Sequence, residues 1–249
     1  MMFLDRCKAL LSEFENLRRD FHTRGKEATT TGSVSVGLPV PATRFLGRTF
    51  ISDFNSHYSG ISLRIVEGFS ALLYEWLLSG SLDLAILYGP THSKILTSEP
   101  VLVEDLYAIT AATPENRQRS SISAAELASA PLILPNRPHV LRDMVDQLHF
   151  KNLSFIEVGA ITMMIELARA GKGYSILPHS AVDGALAAGD IVALPIHEPN
   201  LSWEVSICYS NLRPLSAPAE VMLRLVRKEL VRMVREGHWT ARLTNADGR

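Results

Sequence analysis

Residues 61–88 read ISLRIVEGFSALLYEWLLSGSLDLAILY. Ile61, Leu63 and Ile65 fall at every second position, the period of a strand with one face in a core. Ser70 stands where a helix opens and Gly80 where it closes, a hydroxyl at the start and a glycine just past the end. Leu82 to Tyr88 is almost uninterrupted apolar sequence, the reading of a strand covered on both faces. Strand, helix and buried strand in so few residues predict a parallel pair joined by a helical crossover.

The same alternation extends in both directions. Upstream, Val34, Val36 and Leu38 alternate with Ser33, Ser35 and Gly37 until Pro39, and residues 42–57 return to helical spacing through Phe45, Leu46, Thr49, Phe50 and Phe54. Downstream, an extended stretch over 101–110 precedes a second series: strands at 131–134, 154–158 and 174–177, with helices over 142–150 and 160–170 between them. Strands at 191–194 and 203–209 and a closing helix over 217–236, with Val221, Leu225, Leu230 and Val234 on one side, complete the pattern. The fold class is therefore α/β, with two Rossmann-like lobes joined by crossing strands. The expected division is lobe I over 32–104 plus 208–238, lobe II over 105–207, and a flexible tail over 239–249.

Composition narrows the function. The chain has 249 residues, 47% hydrophobic and 20% charged, enough for two cores. Lys and Arg number 25 against 26 Asp and Glu, for a net charge of −1, without the basic excess of a nucleic-acid-binding domain. Two cysteines, Cys7 and Cys208, are too few for a disulfide framework, so a reducing, cytoplasmic location is expected. The N-terminus shows charged Asp5, Arg6 and Lys8 and no apolar run long enough for a bilayer, so neither a signal peptide nor a membrane anchor is expected. Residues 1–28 read as a linker or dimerisation helix, with Leu4, Cys7, Leu11, Phe14 and Phe21 at steps of three and four and Gly25 at its end. Its apolar face suits packing on the chain's own body or pairing with a second chain, and Thr29 to Gly32 reads as a linker.

Catalytic patterns fail one by one. Gly68-Phe69-Ser70-Ala71-Leu72 has leucine where a nucleophile elbow needs its second glycine. Gly171-Lys172 has Glu166 where a P-loop needs glycine. The eight histidines show no HExxH or H-x-H spacing for a metal. Asp83 and Glu104 sit in strand-like runs and read as structural. No enzyme, cofactor or metal is expected.

Glu67 to Leu72 followed by Leu78 to Ile86 resembles the strand-helix-strand block of LysR-type transcriptional regulators. Glu166 through Gly171-Lys172-Gly173-Tyr174-Ser175-Ile176-Leu177-Pro178 resembles the same family's helix-glycine-strand-proline block, and Leu4 to Leu11 its linker helix. Gly37 to Pro39, Glu75 to Gly80 and Leu87-Tyr88 are similar to the nitrogen-assimilation-control branch. The resemblance covers residues 3–236 and implies a type 2 periplasmic-binding-protein-like effector-binding domain, as homodimer or homotetramer. DNA contact would come only through an N-terminal winged helix-turn-helix, which the family carries ahead of the linker helix and which these 249 residues are not expected to include.

In such two-lobed folds a ligand is expected in the crevice beyond the C-terminal strand ends. From the first lobe the candidates are Pro41 and Thr43 after the first strand, Ser70 after the second, as cap alone or as cap and ligand, and Tyr88 after the third. From the second lobe they are Arg137, as ligand or plain surface residue, with His139 and Thr162. Helix N-termini and Arg137 suit a small anionic metabolite whose binding shifts lobe closure. The competing expectation is a transporter's solute-binding protein, which shares the fold but should carry a secretory signal.

Overall fold

The computed structural model describes residues 30–89, 93–148, 150 and 154–244. The helix expected over 1–28 lies outside the described residues. The rest divides into two compact units. Among the described residues, unit 1 takes those up to Leu102, Glu204–Trp239 and 243–244, and unit 2 takes those within Val103–Trp203 and Thr240–Arg242. The chain exchanges units after Leu102 and after Trp203, against the expected 104 and 207.

Unit 1 begins with β1 (Gly32–Leu38), α1 (Val40–Phe45), α2 (Arg48–His57), β2 (Ile61–Glu67), α3 (Ser70–Leu78) and β3 (Leu84–Tyr88). β1 pairs in parallel with β2 on one side and β3 on the other. β10 (Ser202–Ser210) runs antiparallel to β3, with β4 (Leu96–Ala111) beyond it. All five residues of β3 are buried, as its apolar run demands. Leu73 and Leu77 of α3 meet Leu82, Ala85, Leu87, Leu96 and Cys208 in one apolar cluster. α9 (Ala217–Arg235), capped by Ser216, packs on β1.

Unit 2 contains α4 (Pro114–Gln118), β5 (Ile122–Ser123), α5 (Ala124–Ala128), β6 (Leu132–Pro135), α6 (Val140–Gln147), β7 (Phe155–Val158), α7 (Ile161–Arg169), β8 (Tyr174–Pro178), α8 (His179–Ala188) and β9 (Ile191–His197). β6 pairs in parallel with β7 and β8, and β4 runs antiparallel to β8 and β9. The short strand β11 (Arg242–Leu243) pairs with β4.

Two differences from the sequence reading have local causes. The single helix expected over 42–57 is two, because Gly47 sits at φ −69°, ψ −117° between them. Any Cβ at Gly47 would lie 2.7 Å from the carbonyl oxygen of Thr43. The segment from 239, expected as a flexible tail, begins with Trp239 at 1% exposure, its ring stacked on Phe45 with centroids 4.4 Å apart.

The Gly-Lys-Gly turn before β8 shows which glycine the fold needs. Gly171 has φ +68° with open space around it, whereas Gly173 has φ +149° and its added Cβ would lie 2.3 Å from the carbonyl oxygen of Pro131. That carbonyl accepts the Tyr174 amide at 2.9 Å and starts the β6–β8 ladder, so it cannot retreat. Gly171→Ala should cost about 1–2 kcal/mol and Gly173→Ala about 3 kcal/mol or more, measured by urea denaturation. Equal costs would contradict the different roles given to the two glycines.

Candidate functional site

Parallel registers bring the C-terminal ends of β1, β2 and β3 to one edge of unit 1, with Leu38 opposite Glu67. The chain leaves β1 through Pro39 into α1, where Pro41 is buried and acts in packing. The Thr43 hydroxyl lies 2.7 Å from the Val40 carbonyl oxygen and 2.9 Å from Glu67 Oε2, and its one proton serves these two acceptors in turn. Thr43 therefore joins the β1 and β2 ends and places a carboxylate at this edge.

Ser70 does not cap its helix. Phe69 occupies the N-cap position, and Ser70 Oγ instead accepts the Tyr88 amide at 3.0 Å. The reason is local: β3 ends beside α3, and its last backbone N–H needs an acceptor. This use leaves the Ser70 O–H proton available to a ligand oxygen. Tyr88 is buried at the end of β3 and contributes this main-chain group.

In unit 2 the ends of β6, β7 and β8 likewise share one edge. After β6, Arg137 is 58% exposed, and its guanidinium binds Asp143 at 3.2 Å and also Asp146. Its charge is engaged by α6. Arg142 of the same helix is buried, binds Asp146 at 3.2 Å and Glu157 at 2.8 Å, and lies over the Phe155 ring at 4.4 Å. After β7, the side chain of Asn136 approaches Gly159, and Thr162 stands exposed in the first turn of α7. The structure thus brings Asn136, Gly159 and Thr162 to one edge, and Arg137 to the flank of α6.

The residues after β8 were missed by the sequence reading. Pro178 ends β8 and, as the N-cap residue of α8, supplies no side-chain cap. Ser180, in the first turn, is 1% exposed, and its Oγ meets no hydrogen-bond partner among the described residues. His179 Nδ1 lies 2.7 Å from Asp183 Oδ1, with Tyr107 packed edge-on at 5.7 Å. Burial, and then the Asp105 carboxylate, push the Tyr107 phenol above its usual range. A strand ending in Pro178 with a hydroxyl two residues on was the available signal. Glu104, wholly buried, accepts the Trp203 indole N–H at 3.1 Å, and Asp83 takes the amide and hydroxyl of Ser35 at 2.8 and 2.6 Å. Both carboxylates do structural work. Among the described residues no cluster of three or more metal-ligating side chains occurs, and no helix is long and apolar enough to cross a membrane.

Two α/β units, each with its parallel strand ends gathered at an edge of helix starts, define a class of small-ligand-binding domains. The chain belongs to the LysR substrate binding domain family, whose model matches residues 27–231. Its fold is accordingly of the type 2 periplasmic-binding-protein-like kind seen in LysR effector-binding domains. Among relatives it is 22% identical over 225 residues to the HTH-type transcriptional regulator BbuR of Bordetella bronchiseptica, covering 89% of this chain and 69% of that one. The nitrogen assimilation regulatory protein nac of Klebsiella aerogenes is 27% identical over 209 residues, covering 80% and 68%. Among solved structures, the Synechocystis CcmR regulatory domain in complex with 2-PG matches with a TM-score of 0.72 at 19% identity, covering 80% of this chain and 97% of that one. The effector binding domain of QuiR in complex with shikimate matches at 0.66 and 17% identity, covering 83% and 99%. BbuR and nac are regulators, and neither is a transport protein.

His139 gives this site a pH signature. It is the N-cap of α6, with Nδ1 accepting the Leu141 amide at 3.1 Å, so the cap works only while Nδ1 is unprotonated. Burial, only partly offset by the Asp143 carboxylate, lowers its pKa to about 4 from 6.5. Between those values the unfolded chain binds a proton that the folded chain refuses, so stability is full above pH 6.5 and falls toward pH 4. The loss is at most about 3 kcal/mol. His139→Asn, which keeps a capping acceptor, should flatten this limb in denaturation curves taken from about pH 7 to 4. An unchanged slope would show that His139 is not the group responsible.

Proposed function

We propose that this chain is the effector-sensing part of a LysR-type transcriptional regulator and that it binds a small anionic metabolite at the strand-end edges described above. One observation carries the reading: Ser180 is 1% exposed in the first turn of α8 and its Oγ meets no hydrogen-bond partner among the described residues, at a helix start whose N-cap residue, Pro178, supplies no side-chain cap. A buried hydroxyl left unpaired costs free energy until something binds it, and helix N-termini favour anions. In unit 1 the Ser70 proton supplies a donor, while the Thr43–Glu67 pair offers an acceptor and disfavours a second negative charge. Taken separately, the start of α8 in unit 2 suits an acidic group and the edge of unit 1 suits a hydroxyl. Arg137 contributes only after giving up Asp143 and Asp146.

Thiol-based sensing has no support among the described residues. Cys208 is fully buried within β10, and its thiol donates to Ser98 Oγ at 3.4 Å, whereas a sensing thiolate needs solvent access. DNA reading by an N-terminal domain, self-association through residues 4–21 and a cytoplasmic location belong to the same proposal.

The test is a thermal-shift screen of small hydroxy-acids and phosphorylated acids, followed by calorimetry on three variants. Ser180→Ala should leave the melting temperature unchanged or higher and weaken binding about tenfold. Ser70→Ala should cost about 1–2 kcal/mol of stability, because the Tyr88 amide loses its acceptor, and should weaken binding as well. Thr43→Val keeps the shape and should weaken binding by a similar factor with little loss of stability. Unaltered affinity in all three variants would place the site elsewhere.

A further inference from the structure

The helix that carries Thr43 is held in place by a residue at the other end of the chain. α1 has only six residues, no side-chain cap at Pro39 and no acidic residue in its first turn. A helix of that length has no stability of its own in water, so its tertiary contacts, the Thr43–Glu67 bond and above all packing, set its position. Pro41, Ala42 and Leu46 are buried beneath it, and its last residue, Phe45, lies under the Trp239 ring at 4.4 Å with an interplanar angle of 20°.

Trp239 reaches that position through a defined turn. Gly237, at φ +73°, ends α9 in the left-handed conformation that glycine adopts most readily, and its amide bonds to the Val234 carbonyl at 3.1 Å. The amides of His238 and Trp239 both reach the Met233 carbonyl, at 2.9 and 3.0 Å. Beyond the ring the chain is anchored again in unit 1. The Thr244 amide bonds to the Val101 carbonyl and its hydroxyl to the Pro100 carbonyl, each at 2.9 Å. The segment is thus pinned at both ends, with a large aromatic ring between them.

We propose that residues 237–244 form a strap whose Trp239 is the positioning residue of α1 and, through it, of the effector-facing Thr43. The role given to Thr43 rests on the functional reading above; the strap's hold on α1 does not. The ring stacks on Phe45, so its removal frees the last turn of α1 while β1, which is tied to β2 and β3, keeps its ladder.

Native-state hydrogen exchange tests this without any effector, so the strap can be proved or disproved even where no effector is found. In Trp239→Ala and Trp239→Leu, the amides of Thr43 and Leu46, bonded to Pro39 and Ala42, should exchange about tenfold faster or more. Those of Val36 in β1 and Ile176 in β8 should keep their wild-type protection. Trp239→Phe, which retains a ring for Phe45, should restore α1 toward wild type. If Trp239→Ala does not fold, Trp239→Leu decides. Exchange unchanged in α1, or raised equally across both units, would overturn the proposal.

Discussion

The carboxylate of Asp83 fixes the register on which unit 1 depends. Its Oδ2 takes the Ser35 amide at 2.8 Å and the Ser35 hydroxyl at 2.6 Å, while the Asp83 amide bonds back to the Ser35 carbonyl at 3.0 Å. Charge-assisted bonds of this kind are about twice as strong as neutral ones, and this set stands just before β3, where the strand enters the core. One residue of slip would turn the inward face of β1 toward the opposite side. With β3 set against β1 at its start, its far end falls beside α3, where the Tyr88 amide finds Ser70 Oγ. The position of the candidate effector hydroxyl is thus decided at the opposite end of the strand.

Much of this was legible in the sequence because period and punctuation agreed. β1, β2 and β3 read as strands from alternation or from a continuous apolar run, and α3 from its flanking Ser70 and Gly80. Where the reading fell short, tertiary contacts decided. Helical spacing continues through residues 42–57, and only the backbone at Gly47, tight against Thr43, divides it. Ser70 looks like a cap in sequence, but the orphan amide of Tyr88, eighteen residues away, claims its oxygen. Trp239 lies beyond the last periodic helix, and nothing local announces that Phe45 will cover it. One local signal did exist: Ser123 and Glu126 form a reciprocal capping box at the start of α5, and the serine's amide and hydroxyl hold the Glu126 carboxyl below its usual range.

The two units solve one topological problem with different chemistry. Unit 1 joins its strand ends with hydroxyls: Thr43 reaches Glu67 beside β2, and Ser70 receives Tyr88 from β3. Unit 2 uses charge, with Arg142 joining α6 to Glu157 of β7 and Arg137 closing on Asp143 and Asp146. Exposed ion pairs such as those of Arg137 are worth about 1 kcal/mol or less, so that side chain can leave α6 for a stronger partner. Arg142 differs, since removing its partners would strand a buried guanidinium.

That contrast separates positions that hold the edge from positions free to read a ligand. Ser70 and Arg142 complete part-buried contacts that the fold already uses, so substitution there changes stability, whereas the exposed Thr43–Glu67 link costs little to lose. Thr162 and Ser180 complete none among the described residues: the first is exposed in the opening turn of α7, and the second is buried in that of α8 with its hydroxyl unmatched. A side chain without structural duty can change at little cost to folding. Selection for a new effector would therefore act first on the starts of α7 and α8, while the hydroxyl links of unit 1 keep the edge in shape.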